Sequence, residues 1–234
     1  MRLRKSGQDK KNTGLTYHEA VEAQRRLAVY LSATMPRTRV GTIAGADVAF
    51  AGGGTVAVAG FVLMTWPRLE TVDVSVAAKP VEFPYIPGLL SFREIPVLID
   101  ALWRLSARPD VIFCDGQGRA HPRRFGLACH LGVVTGTPTI GCAKSVLVGR
   151  FEEPPRERGS CSDMIHEDEV VGRAVRTRRG VRPVYVSAGH MMDLETAVEM
   201  VLGACGGYRI PEPTRRAHTL VAEAKAYVEK AAGR

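Results

Sequence analysis

Val111-Ile112-Phe113-Cys114-Asp115-Gly116-Gln117-Gly118 is a run of four apolar residues closed by an acid and a glycine loop. A run that short, apolar at every position instead of at alternate ones, fits a strand buried on both faces of a sheet. Asp115 then stands at the carboxyl end of a central strand, where α/β sheets commonly place active-site groups. Asp-Gly is also an ordinary turn signal, so this segment alone leaves both readings open.

Upstream, residues 42–50, 56–64 and 70–77 read as three strands, with Gly52-Gly53-Gly54 supplying the first turn and Pro67 marking the second. Connections this short imply an antiparallel meander. Residues 17–35 space apolar side chains at helical intervals, with Pro36 as the stop, and residues 91–105 read as another helix. Downstream, a helix over 123–131, strands at 138–142 and 183–187 and a helix over 194–202 continue the alternation. Residues 152–180 are charged and read as loops with an edge hairpin, while residues 1–13 are polar and expected to be flexible. The expected fold class is α/β, a mixed sheet of antiparallel meander plus parallel strands flanked by helices, in a single domain over 1–234.

Lys and Arg number 32 against 24 acidic residues, a net charge of +8 that suits a polyanion such as nucleic acid, because each neutralised phosphate releases counterions. The 5 cysteines show no CxxC or CxxH spacing, which argues against zinc and against a disulfide framework. A reducing, cytoplasmic setting is therefore expected. The basic N-terminus lacks the apolar stretch of a secretory signal, and no run is long enough to span a bilayer. No membrane partner is expected.

Three acids stand out. Asp47 interrupts the apolar strand Thr-Ile-Ala-Gly-Ala-Asp-Val-Ala-Phe, where an unpaired carboxylate costs several kcal/mol unless it faces solvent at an edge. Glu94 lies in Ser91-Phe92-Arg93-Glu94, which has the form of a capping box. Pro96 weakens that reading, because a residue before proline avoids the α region and the regular helix would begin near Pro96. With Asp115 they form a set of oxygen donors suited to magnesium, with manganese as a substitute, beside a phosphodiester.

Longer motifs carry a resemblance. Pro84-Tyr85-Ile86-Pro87-Gly88-Leu89-Leu90-Ser91-Phe92-Arg93-Glu94 resembles the PYIPGxLxFRE signature of the endonuclease V family. Asp115-Gly116-Gln117-Gly118-Arg119-Ala120-His121-Pro122-Arg123-Arg124 is similar to its DGxGxAHPRR, and Pro138-Thr139-Ile140-Gly141-Cys142-Ala143-Lys144-Ser145 to its PTIGxAKS. Two further blocks, from Tyr185 to His190 and from Ile210 to His218, follow in the family order. Ala188 stands where the family usually has proline, and Cys142 where a branched apolar residue is usual.

The resemblance implies a ribonuclease H-like fold and a metal-dependent DNA repair endonuclease hydrolysing the second phosphodiester bond 3′ to deoxyinosine. It implies that Asp47 and Asp115 ligate the metal, with Glu94 and His218 acting through water and Lys144 beside the attacked phosphate. His218 also fits an ordinary surface histidine on the last helix, and His121 either touches the phosphate or leaving group or caps and packs. The loop Pro84, Tyr85, Ile86, Pro87, Gly88 would present a stiff aromatic wedge to the vacated base stack. Gly88, Gly116 and Gly118 would let backbone amides approach the base, and Arg93, Arg123 and Arg124 would meet the strand.

The basic run Arg173, Arg176, Arg178, Arg179 and Arg182 would either track a backbone or form a solvated loop. His190 reads as a structural residue orienting its loop, Trp66 as a turn residue and Trp103 as a helix-core residue. The expected partner is DNA with deaminated bases, without organic cofactor and with the protein as a monomer. Two alternatives are an endonuclease of inosine-containing RNA and a non-catalytic nucleic-acid binder on the same scaffold.

Overall fold

The computed structural model describes residues 15–36 and 39–232; the expected flexibility of 1–13 lies outside them. Among the described residues, eight strands form one sheet: β1 (Thr42–Ala51), β2 (Val56–Thr65), β3 (Thr71–Pro80), β4 (Val111–Cys114), β5 (Thr139–Ala143), β6 (Cys161–His166), β7 (Glu169–Val175) and β8 (Val184–Ala188). Their spatial order is β3-β2-β1-β4-β5-β8-β7-β6. The antiparallel meander β1-β2-β3 joins the parallel trio β1, β4 and β5, and β8, β7 and β6 continue antiparallel. The expected mixed sheet is therefore present, with the edge hairpin in the charged stretch.

Helices cover both faces. On one face α4 (Leu194–Gly203) and α5 (Glu212–Ala232) pack over Ile43, Val62, Val111, Phe113, Ile140 and Val186. On the other, α2 (Ser91–Leu102) and α3 (Leu127–Thr135) enclose Ala44, Ala46, Phe61, Ile112 and Cys114. All four residues of β4 are buried, as its unbroken apolar run requires. Among the described residues no helix is long and apolar enough to cross a membrane.

Several boundaries differ from the sequence expectation, each for a local reason. Helix α1 (Tyr17–Ala28) starts on a capping box between Thr16 and Glu19, but it ends seven residues before the expected limit at 35. Val29 and Tyr30 beyond it are 76% and 69% exposed, so no core extends the helix and Pro36 is not what stops it. Helix α2 begins at Ser91, not near Pro96, and Pro96 sits inside it. The capping box expected there is absent: the Ser91 hydroxyl lies 3.0 Å from His130 Nδ1 instead. Helix α3 starts only at Leu127, because Arg124 takes a left-handed conformation (φ 56°) and its guanidinium reaches the β6–β7 turn. Trp103 is a further correction. It caps the end of α2 at 60% exposure, with Arg108 over its ring.

His130 and His121 are both buried, and burial pushes each imidazole down to about 4. Both are neutral in the fold, whereas in the unfolded chain they titrate near about 6.5. The unfolded chain therefore binds more protons between those values, so their contribution is complete above pH 6.5 and is lost as pH falls toward 4. Lowering the pH from 7 to 5 should remove about 2 kcal/mol per histidine, seen as a lower melting temperature. A His130→Asn variant should show a shallower acid limb; an unchanged limb would remove this histidine as its source.

Candidate active site

Asp47 and Asp115 meet because of strand register. Ala46 pairs with Cys114 across the parallel β1–β4 ladder, and the Asp115 amide donates to the Ala46 carbonyl at 3.1 Å. The next residue on each strand is an aspartate, and alternation turns both side chains to the face that carries α5. Helix α5 reaches that face over two glycines. A Cβ on Gly45 would lie 1.9 Å from the Pro213 carbonyl oxygen, and one on Gly60, the partner of Asp47, 2.8 Å from a Val221 methyl. This close seating brings His218 Nδ1 to donate to Asp47 Oδ2 at 2.8 Å.

One ligand atom each from Asp47, Asp115 and His218 lies within 4.8 Å of the other two. Glu94 is not in that group. It rises from the first turn of α2, in the opposite helix layer, and is 8% exposed. Burial, then the charges of Asp47 and Asp115, push its carboxyl up to about 8. Asp47 is raised as well, first by burial and then by Asp115. Carboxylate oxygens gathered in this way, with an imidazole beside them, suit a hard divalent ion. Lys144, just past β5, donates from Nζ to Asp115 Oδ2.

A cleft of about 420 Å³ opens beside this cluster. Glu94, Asp115 and Lys144 line one part, and Tyr85, Gly88 and Leu127 another. Tyr85 stands 69% exposed on its proline-bounded loop, as the sequence suggested, and Pro87 lines the cleft beside it. Pro84 is exposed, while Ile86 anchors the loop on Ala20, Phe83 and Leu89.

The loop is fixed at Gly88, whose φ of 76° favours glycine. Its carbonyl oxygen accepts from Gln24 Nε2 at 3.1 Å, His121 Nε2 at 3.0 Å and Arg123 Nη2 at 2.6 Å. The Arg123 amide donates to His121 Nδ1 at 3.2 Å, so the neutral ring carries its proton on Nε2. His121 lines the cleft, but both of its nitrogens are engaged within the protein.

Other residues singled out from the sequence lie apart from the cluster. Arg123 is held by Gln24 and Gly88, and Arg124 by Glu169, His166 and the His121 carbonyl. Arg93 binds the Gly54 carbonyl and stacks over Phe50. Gly116 lines the cleft, whereas Gly118 is small because β8 passes it: a Cβ there would lie 2.2 Å from the Ala188 oxygen. In the basic run, Arg173 pairs with Asp163 and Glu195, and buried Arg176 binds Glu153 and the Pro154 and Pro155 carbonyls. Only Arg178, Arg179 and Arg182 of that run are exposed. His190 ties the Ser32 amide to its ring and its own amide to Thr139, in keeping with a structural part.

Two residues escaped the sequence reading. Gln24, 1% exposed on the buried face of α1, holds Gly88, Phe125 and Arg123 together. Arg209 donates to the Arg182, Pro183 and Lys144 carbonyls and so clamps the strand end that carries Lys144. Carbonyl acceptors leave no trace in sequence, but a glutamine on the apolar face of α1 was a readable signal for the first.

The family model for Endonuclease V matches residues 24–219. An Endonuclease V of Myxococcus xanthus is 53% identical over 208 residues, spanning 88% of each chain. The crystal structure of an Endonuclease V from Streptomyces avermitilis superimposes with a TM-score of 0.88 at 44% identity, covering 92% of this chain and 95% of that one. Ciona intestinalis Endonuclease V, solved with a 24mer DNA containing an inosine followed by a ribo-adenosine, gives a TM-score of 0.80 at 30% identity, with 91% and 98% covered. By its sequence, its ribonuclease H-like sheet and the helices that flank it, this chain belongs to the Endonuclease V family of nucleases.

Proposed function

We propose that the chain is a DNA repair endonuclease that hydrolyses the second phosphodiester bond 3′ to a deoxyinosine, using Mg²⁺ or, in its place, Mn²⁺. The observation that carries this reading is the side-by-side pairing of Asp47 and Asp115 under His218, with Asp115 also lining a cleft that displays Tyr85. Asp47 and Asp115 would hold the ion, with Glu94 and His218 reaching it through water. When bound there, the ion supplies an activated water, stabilisation of the leaving oxygen and neutralisation of phosphate charge. The inosine bound to the Ciona relative supports the substrate.

Lys144 would exchange its contact with Asp115 for the attacked phosphate. Glu94, raised first by burial and then by Asp47 and Asp115, is placed beside the acids to hold or accept a proton at its carboxylate. The cleft between Gly88 and Leu127 would take the extruded base, while Tyr85 fills the gap left in the stack. His121, Arg123 and Gln24 would shape that cleft through Gly88 without themselves transferring protons.

The free cysteines support the cytoplasmic setting, and sedimentation of the full chain checks the expected monomer. A nicking assay on an inosine-containing duplex, with and without magnesium, tests the activity. No nick beside inosine in magnesium overturns it. Tyr85→Ala should lower the preference for inosine over adenosine by roughly tenfold, the worth of one stacking contact. Equal selectivity with and without the ring would dismiss the wedge. The ribo-adenosine after the inosine in the Ciona complex favours a second reading, cleavage of inosine-containing RNA. Matched DNA and RNA strands compared at one salt concentration separate the two.

A further inference from the structure

Asp115 borders two hollows. One is the cleft that displays Tyr85; the other, about 430 Å³, lies on its far side and has Asp47, His218 and Lys225 on its walls. The two differ in chemistry. The first has an aromatic ring, a fixed glycine turn and apolar walls. The second has no Phe, Tyr or Trp, its one ring being His218, which is tied to Asp47, and it is floored by Val48 and Ala49, with Ala222 opposite. Such a lining offers little to a base.

Its shape follows from how α5 lies on β1. Pro213 sits on Gly45 and His218 on Asp47, so helix and strand advance together past the acids. Lys225 is seven residues beyond His218, about 10 Å along the axis at 1.5 Å per residue. Ala49 and Ala222 are too small to fill the space between helix and strand, which leaves a trough with carboxylates at one end and an ammonium at the other. Lys225 contacts Glu229 at 3.7 Å on the solvent side, an exposed pair that holds it weakly.

We propose that this trough receives the strand on the 3′ side of the cut, with Lys225 as a contact to a backbone phosphate. The inference rests on the reading under Proposed function, which fixes the order of groups along the substrate. If the altered base occupies the cleft with Tyr85 and the bond to be cut lies at Asp47 and Asp115, the remaining strand leaves on the opposite side of Asp115. For a strand stacked as in a duplex, at about 3.4 Å per nucleotide, only a phosphate within about three nucleotides falls in reach of Lys225. A trough without base-binding groups takes any sequence, as an enzyme that reads one altered base upstream requires.

The test compares wild type with Lys225→Gln on two inosine-containing single strands identical through the scissile bond. One continues well beyond it; the other ends at the next nucleotide. On the long strand the variant should lose roughly three- to tenfold in kcat/KM, mostly in KM, and its binding should lose about 0.7 in salt slope. On the short strand it should match wild type, and Lys225→Arg should restore the long one. Equal losses on both strands, or none on the long one, would overturn the proposal. Binding to the two strands without added metal reads the same contact independently of cutting. Failure of wild type to prefer inosine over adenosine on these strands would count against the proposed substrate, while the dependence on strand length still scores Lys225.

Discussion

Replacing Asp47 or Asp115 with alanine is expected to slow cleavage beside inosine by roughly 10³-fold, because a bound metal is worth several kcal/mol of charge stabilisation and about 1.4 kcal/mol is one decade. Binding to the same strand should survive, since each change removes a negative charge facing a polyanion. The two variants should differ from wild type in a second way. Wild type should gain stability from magnesium by mass action, and the gain should vanish with Asp47→Ala, which leaves Asp115 without its register neighbour. Retained metal-dependent cutting in both variants would remove the pair from the centre of the chemistry. A magnesium-dependent rise in melting temperature that persists in Asp47→Ala would place the ion elsewhere.

Gly45→Ala should do comparable damage from outside the site. Its Cβ would stand 1.9 Å from the Pro213 oxygen and 2.8 Å from Pro213 Cα, and backbone atoms cannot step aside as a side-chain tip can. Either β1 bends or the start of α5 lifts, at a cost of about 1–3 kcal/mol or more. A lifted α5 carries His218 away from Asp47, so activity should fall further than the melting temperature alone would explain. Gly60→Ala provides the milder comparison, because its Cβ would meet side-chain carbons of Val221 and Leu220 at 2.8 and 3.2 Å in place of a backbone oxygen at 1.9 Å. Equal activity in Gly45→Ala and wild type would show that α5 tolerates displacement and that its seating is not what sets the site.

The positions of Asp47 and Asp115 were legible because a carboxylate inside an apolar strand, or at its end, breaks a pattern of known period. Alternation and short turns also gave the meander, and one all-apolar segment gave β4. The convergence of the two acids was not legible from pattern: it depends on which strands are neighbours and in what register, and β1 and β4 are about sixty residues apart in the chain. His218 was named by motif, yet its reach to Asp47 depends on Gly45 and Gly60, two small residues whose purpose appears only when α5 lies on them. Glu94 shows the opposite error. Its local sequence suggested a delayed helix start, but the core around Ile95 and Leu98 carries the helix through Pro96 and leaves the acid buried inside the first turn.

The three donors gathered on the Gly88 oxygen bear on timing. A carbonyl held from three sides would keep the Tyr85 loop in one arrangement before any nucleic acid arrives, so that, with Tyr85 acting as proposed, no slow closure would stand between encounter and capture. The waiting time would then belong to the nucleic acid: how often a nucleotide swings out on its own. Such an enzyme patrols for spontaneous breathing, and it would find a wobbling mispair sooner than the same lesion seated in a firm one.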